Sequence, residues 1–292
     1  MIGALFGGTF DPPHVGHEMI VDEVLKTLHV EVVFVVPAYL NPFKSEFYAP
    51  ADVRLGWLRK LFGDNDKVEI VDFEVKQKRA VASIETVKYL LKKYDLEKLY
   101  LVIGADNYAK LHMWSGYDEL KNLVEFVIAS RDGIITPKEL KKIKINANIS
   151  SSELRADLDI SFIPKSIKNE VLAYYTRNIM EKRVENIVKI LDEKKAENIQ
   201  SFDMSDKDYF VDSVVIATTL GERHGLALLD TLKSELKSRG ESFLNIEESD
   251  DWVIIDMGDI LIHLMSAEYR ARYNIEEFLS AYKSPEISTE KE

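Results

Sequence analysis

The sequence predicts two successive α/β domains, the first built on a mostly parallel sheet. Three observations carry this. The chain has 292 residues, about twice the roughly 150-residue prior for one domain. In the first half, short β-branched runs alternate with segments of helical spacing, the pattern of βαβ units. The charge also divides unevenly. Residues 1–178 carry 24 Lys and Arg against 25 Asp and Glu, whereas residues 181–292 carry 14 against 25.

Ile2–Phe6 is a short apolar run closed by Gly7-Gly8 and reads as the first strand. It has no basic flank before it and does not read as a signal peptide. His17–Leu28 places Ile20, Val24 and Leu28 on one helical face. Glu31–Val36 is a β-branched strand stopped by Pro37, and Val53–Phe62 is a helix through Leu55, Leu58 and Leu61. Val68–Val71 reads as a strand, Ile84–Tyr94 as a helix, and Leu99–Ile103 and Leu123–Ala129 as further strands. A helical stretch from Lys165 to Lys195 has no Gly or Pro. It is either a linker or a helix shared by both domains, with the boundary between Thr176 and Lys182. The assignment is 1–178, then 182–283, with 284–292 a frayed polar tail. The second domain reads as helix Val184–Leu191, strand Asp212–Thr218, helix Ala227–Ser238 and strands Trp252–Asp256 and Ile260–Met265. Asp256-Met257-Gly258-Asp259 is a tight turn between the last two. The lysine-rich run Lys138–Lys144 reads as a solvated face. Asp203, Asp206 and Asp208 read as a solvated loop, because the glycine and distant glutamate of a calcium loop are missing. His263, alone in an apolar strand, reads as a packed residue rather than a ligand.

The chain has no cysteine. That excludes disulfides, thiolate metal sites and a cysteine nucleophile, and it fits a reducing, cytoplasmic setting. No apolar run approaches the roughly 20 residues that span a membrane. The acidic second half is unsuited to general nucleic-acid binding. It suits a basic protein partner, or serves only solubility.

The densest chemistry is Gly7-Gly8-Thr9-Phe10-Asp11-Pro12-Pro13-His14-Val15-Gly16-His17, where a strand hands over to a helix. The glycines let backbone approach a ligand, and the prolines bar an early helix start. His14 and His17, with Gly16 between them, can face one point near a helix N-terminus, whose unpaired N–H groups favour phosphate. Two histidines at this spacing can also share a metal, with Asp11 as the nearest third ligand. The second motif is Ile149-Ser150-Ser151-Ser152-Glu153-Leu154-Arg155. Its serines cap a helix and can hold an anion, and Arg155 can return to that anion with a planar fork of donors.

These strings resemble the HxGH nucleotidyltransferase superfamily, and specifically the bacterial nicotinate mononucleotide adenylyltransferases. The resemblance covers about residues 1–176 and includes Gly104-Ala105-Asp106, Trp114 and Arg131. It implies a Rossmann-like parallel sheet with ATP and the mononucleotide at the carboxyl ends of its strands. It implies adenylyl transfer, in which His14, His17 and Arg155 are catalytic. Gly7, Gly8, Thr9, Phe10, Gly16, Lys44, Gly104, Asp106, Ile149, Ser150, Ser151 and Ser152 would bind ATP. Ser83, Thr86, Trp114 and Arg131 would bind the mononucleotide, with Trp114 stacking on the pyridine ring. Mg²⁺ would accompany ATP, and no metal site belongs to the protein itself. The family's usual Pro-His-Lys stands here as Pro42-Phe43-Lys44, and its Ser-Tyr-Thr as Val81-Ala82-Ser83. Nicotinamide mononucleotide and phosphopantetheine are the alternative substrates.

Residues from about 183 to 280 resemble the ribosomal silencing factors, also called Iojap-like, a small mixed α/β fold. The matching strings include Val215-Ile216-Ala217-Thr218, Glu222-Arg223-His224 and Trp252 through Asp259. The resemblance implies binding to a protein on the joining face of the large ribosomal subunit, with Trp252, Arg270 and Tyr273 as contact residues. Leu220-Gly221 replaces a usual Thr-Ser, and Leu279 a common Trp. The alternative makes the second half a dimerisation or regulatory module of a homodimeric enzyme.

Overall fold

The computed structural model describes residues 1–42, 46–108, 110–130, 140–145, 149–157 and 159–282, with the side chains of Asp106 and Asp157 excepted. The chain divides into two compact units, the first Met1–Tyr175 and the second beginning at Thr176.

The first unit runs β1 (Ile2–Gly8), α1 (Val15–Thr27), β2 (Val32–Pro37), α2 (Ala51–Phe62), β3 (Val68–Ile70), α3 (Phe73–Gln77) and α4 (Ser83–Lys93). It continues with β4 (Lys98–Gly104), α5 (Ala105–Tyr108), α6 (Tyr117–Leu123), β5 (Glu125–Ser130), β6 (Lys141–Lys144) and α7 (Ser151–Asp157). The long helix α8 (Lys168–Glu193) contains the point at which the units divide. Side chains alternate across each strand, and both faces of the sheet are apolar. Ala4, Phe6, Val33, Val35 and Val102 enter one core, and Leu5, Phe34, Val36, Leu101 and Ile103 the other. α1 and α2 close the first face and α4 and α6 the second. Fully buried residues such as Leu58 and Leu90 each contribute about 1.5–3 kcal/mol by leaving water.

All six strands are parallel, in the order β3-β2-β1-β4-β5-β6. The direction of winding reverses between β1 and β4, so their carboxyl ends open a crevice. Leu123 ends α6 and does not begin β5. Part of the lysine-rich run is the edge strand β6, whose Ile143 is 1% exposed while its lysine neighbours face solvent. One apolar residue in four gives no periodicity, so the strand was not legible.

The second unit adds β7 (Glu197–Asp203), β8 (Ser213–Thr219), α9 (Glu222–Ser238), β9 (Asn245–Glu248), β10 (Trp252–Asp256), β11 (Ile260–Ser266), α10 (Ala267–Tyr273) and α11 (Ile275–Ala281). Its mixed sheet is ordered β7-β8-β11-β10-β9, parallel only between β8 and β11. Every residue of β8 is buried, as a central strand covered on both sides requires. Ile187, Ile190 and Leu191 of α8 join Leu228 and Leu232 of α9 over one face. Val214, Ile216, Leu261 and Leu279 fill the other.

The stretch read as a separate helix, Val184–Leu191, belongs to α8. The edge strands β7 and β9 are polar throughout most of their length and went unread, because backbone pairing rather than side-chain pattern specifies them. Asp203 ends β7, and its carboxylate accepts the backbone and hydroxyl hydrogens of Ser205. Gly258 takes a positive φ of 95° in the turn between β10 and β11. No described helix is long and apolar enough to cross a membrane. The tail 284–292 lies outside the described residues.

His263 on β11 is buried, and its Nδ1 accepts a hydrogen bond from Trp252 Nε1 at 3.1 Å. Burial lowers its pKa from 6.5 to about 4, with Glu276 opposing. The fold therefore holds a neutral imidazole that the unfolded chain protonates at higher pH. Between these values the unfolded state binds more protons, so stability is full above about pH 6.5 and falls as pH drops toward 4. The expected loss over that window is ~3 kcal/mol. Urea unfolding of the second unit should show this slope, and His263→Gln, which keeps an acceptor for Trp252, should flatten it. An undiminished slope in the variant would assign the acid sensitivity elsewhere.

Candidate active site

β1 delivers Gly7-Gly8 to the crevice, and the following loop carries a cis Asp11–Pro12 bond before α1 begins. A Cβ on Gly8 would meet the Phe10 ring at 3.0 Å. Phe10 has φ 53°, which for a non-glycine costs about 1–3 kcal/mol. Its buried ring is held edge-on by Phe6 at 5.4 Å and by His17 at 4.8 Å. A side chain at position 8 would displace the residue that supports His17.

His14 is the N-cap of α1. Its backbone N–H donates to His17 Nδ1 at 3.1 Å, and the two rings stack with centroids 3.7 Å apart. An accepting Nδ1 leaves the proton of His17 on Nε2. The two imidazoles thus sit together at a helix N-terminus, where donors and dipole favour an anion.

A buried framework holds this loop. Asp11 Oδ1 accepts from Ala49 N at 3.0 Å and from the Tyr175 hydroxyl at 2.5 Å, and Oδ2 accepts from Tyr48 N at 2.9 Å. Its carboxylate is committed to these donors. Burial, then the Asp11 charge, pushes the Tyr175 phenol well above its ordinary range. Arg54, wholly buried, donates to the carbonyls of Thr9, Ala38, Tyr39 and Ala49 at 2.5–2.9 Å. Arg155 donates to the Asp11 carbonyl and to Ser152 Oγ, with its guanidinium 4.2 Å from the Tyr48 ring centroid.

The crevice is a cavity of about 520 Å³ between the carboxyl ends of β1 and β4. It is lined by Gly7, Gly8, Thr9, Phe10, His14, Gly16 and His17 on one side and by Ile149, Ser150, Ser151 and Ser152 near them. Ser83, Thr86, Gly104 and Trp114 line it as well. Arg155 stands behind this lining, against the loop. Lys44 and Arg131 lie outside the described residues, as does the side chain of Asp106 on α5. Among the described residues no group of three or more His, Asp or Glu side chains converges to hold a metal ion.

Sequence reasoning missed Glu74, which also lines the cavity. Thr86 Oγ1 donates to its Oε1 at 2.6 Å. Burial pushes its carboxyl up to about 7, against the Thr86 hydrogen bond, and the Glu85 charge adds to the rise. Asp72-Phe73-Glu74 forms no motif, so only the fold reveals it. The buried Nε1 of Trp114 has no hydrogen-bond partner among the described residues.

In the second unit Arg270 is buried. It donates to Glu276 Oε1 at 2.5 Å, to the Asn198 carbonyl at 2.6 Å and to Thr218 Oγ1 at 2.8 Å. Trp252 is partly buried, its ring 5.1 Å from that of Tyr273, which is 49% exposed. Of the three candidate contact residues, Tyr273 presents the most surface. His224 accepts from Leu220 N at Nδ1 and reaches the Lys194 carbonyl through Nε2.

Family models match parts of both units. The cytidylyltransferase-like family model matches residues 5–157, more than half of the chain. The chain belongs to this family. It is a nucleotidyltransferase. A relative from Sulfurimonas denitrificans, named probable nicotinate-nucleotide adenylyltransferase, is 49% identical over 59% of this chain and 93% of its own length. A Campylobacter jejuni relative of the same name is 49% identical over 60% of this chain and 96% of its own. A solved Plasmodium falciparum nicotinic acid mononucleotide adenylyltransferase, complexed with NaAD, shares the fold. Its TM-score is 0.51 at 18% identity, covering 60% of this chain and 97% of that one. A second family model, ribosomal silencing factor during starvation, matches residues 177–292.

Within this cytidylyltransferase-like unit, one of the two departures from the family pattern, Val81-Ala82-Ser83, leads into α4. Ala82 is the N-cap, its N–H donates to Glu85 Oε1 at 3.2 Å, and Arg79 pairs with the same carboxylate. In the second unit Leu279 is fully buried, so this position, where the resembled family commonly has Trp, is a packing position. Gly104 ends β4 with nothing within 4 Å of where its Cβ would lie. Gly104→Val is expected to raise a substrate KM by about tenfold, ~1.4 kcal/mol, with an unchanged urea midpoint. Steady-state kinetics beside urea titration checks both halves of that expectation.

Proposed function

We propose that the first unit transfers the adenylyl group of ATP to nicotinate mononucleotide. An oxygen of the mononucleotide 5′-phosphate attacks the α-phosphorus, the bond from that phosphorus to the bridging oxygen breaks, and pyrophosphate leaves. The products are deamido-NAD and pyrophosphate. The observation that carries this reading is one cavity bounded by the His14–His17 pair and the Ser150–Ser152 segment, with Trp114 also in its wall. The attacking phosphate is already an anion, so the site needs positioning and charge stabilisation rather than a protein nucleophile. His14 and His17 bind the triphosphate and stabilise charge at the reacting phosphorus. The serines hold the departing pyrophosphate, and Arg155, hydrogen-bonded to Ser152 Oγ, adds positive charge at that end. Gly7, Gly8, Thr9, Phe10, Gly16, Gly104 and Ile149 shape the ATP side, with Lys44 and Asp106 as further contacts. Ser83, Thr86, Trp114 and Arg131 serve the mononucleotide. Mg²⁺ bound with ATP would shield the charge of the triphosphate beside His14, His17 and the serines.

The second unit, in the same reading, binds a basic protein on the joining face of the large ribosomal subunit and blocks joining with the small subunit, in the cytoplasm. Its acidic balance, 14 basic against 25 acidic residues over 181–292, supports a basic target. The test uses the full chain: coupled detection of pyrophosphate with ATP and each mononucleotide, and co-sedimentation with large subunits at low and moderate salt. Pyrophosphate release together with stoichiometric pelleting that prevents subunit joining is expected. Turnover without pelleting would make the second unit a dimerisation or regulatory module.

A further inference from the structure

Resting on the substrate class assigned above, we propose that Glu74 reads the substituent on the pyridine ring: its neutral carboxyl donates a hydrogen bond to a carboxylate, and its ionised form accepts one from a carboxamide. Glu74 lines the cavity with Ala82, Ser83, Thr86 and Trp114. The Trp114 segment and the start of α4 touch, since a Cβ on Gly116 would meet Ile84 at 3.1 Å. Glu74 therefore lines the same cavity as the aromatic ring suited to stack on the pyridine. One carboxylate oxygen accepts from Thr86, which is itself buried. The other has no hydrogen bond, and the carboxyl no ion pair, among the described residues. A buried carboxyl with one oxygen uncommitted is out of place in a core and in place beside a polar ligand group.

The two candidate substrates differ only at that group. A carboxylate offers acceptors alone, whereas a carboxamide also offers two N–H donors. An ionised Glu74 repels the first and accepts from the second. Burial pushes the carboxyl up to about 7, so both forms are populated near neutral pH. The charge acting on it from α4 is Glu85, which Arg79 pairs. On the side of its own helix, Asp72 is paired with Lys76 and Arg59. His14 and His17 line the same cavity. They meet the portion common to both substrates, so their effect divides out of a ratio of the two.

The experiment measures kcat/KM of the full chain for nicotinate and nicotinamide mononucleotides between about pH 6 and 8. The acid-over-amide ratio should fall by at least about tenfold as pH rises. In Glu74→Gln the Thr86 hydroxyl still finds an oxygen and the NH₂ group faces the cavity. That variant should hold a high, pH-independent ratio, with amide turnover lowered at least about tenfold relative to acid. If it does not fold, Thr86→Val removes the hydrogen bond that lowers the Glu74 pKa and should move the wild-type profile to higher pH. A flat wild-type ratio, no amide turnover at the upper pH, or an unchanged profile in Glu74→Gln overturns the role of Glu74 alone. A wild-type chain that turns over neither mononucleotide overturns the substrate assignment and this role with it.

Discussion

His17→Ala is expected to lower kcat for adenylyl transfer by about 10²–10³-fold, ~3–4 kcal/mol of lost stabilisation. The reason lies in how α1 begins. His14 N donates to His17 Nδ1, so the opposite ring nitrogen carries a proton. The ring is fixed by its stack on His14 and by the edge of Phe10, and this donor is oriented before a ligand arrives. A preoriented donor is worth more at a developing charge than at a resting one, so kcat should suffer more than KM. The stability cost is small by comparison, about 1 kcal/mol for a weakened helix start. A single-turnover assay with saturating ATP separates the chemical step from binding, and a urea titration checks folding. Retained turnover in the folded variant would remove His17 from the reaction.

Arg54→Met is expected to destabilise the first unit by about 3–5 kcal/mol. Arg54 is 0% exposed, and its guanidinium donates to four backbone carbonyls, of Thr9, Ala38, Tyr39 and Ala49. These belong to the loop after β1, the end of β2 and the approach to α2, so one planar fork joins three segments that secondary structure leaves unpaired. Methionine fills much of the volume but leaves the carbonyls buried without donors. Lysine keeps the charge and loses the fork, so Arg54→Lys should also be destabilised. Trp57, buried one turn along α2 against Tyr174 and Tyr175, makes a local fluorescence reporter. The expected readout is a lowered urea midpoint in the Trp57 signal, with ATP affinity reduced because Thr9 lies on the loop proposed to hold the triphosphate. An unchanged midpoint would mean that water satisfies these carbonyls.

Both results turn on the same loop, and they separate what is local from what is not. The string from Gly7 to His17 was legible because its parts are neighbours in the chain. A strand, two glycines, prolines and a helix start interact across a few residues, so their chemistry can be read without knowing the fold. The alternation of strand-like and helical segments likewise foretold βαβ units and a mostly parallel sheet. Edge elements were hidden for the opposite reason. β6, β7 and β9 carry few buried side chains, and their pairing partners are specified by neighbours elsewhere in the chain.

The sequence alone determined the Gly7–His17 string at a strand-to-helix junction, the class of sheet and the acid balance of each half, because composition and period are local quantities. Only tertiary structure decided that Arg54 ties the loop together, that Tyr175 hydrogen-bonds Asp11 across 164 residues, and that Arg270 is an internal tie while Tyr273 faces outward. It also decided that Glu74 stands in the cavity wall with Thr86 as its partner. Burial and long-range hydrogen bonding assign these roles, and both arise only when distant segments are folded into contact.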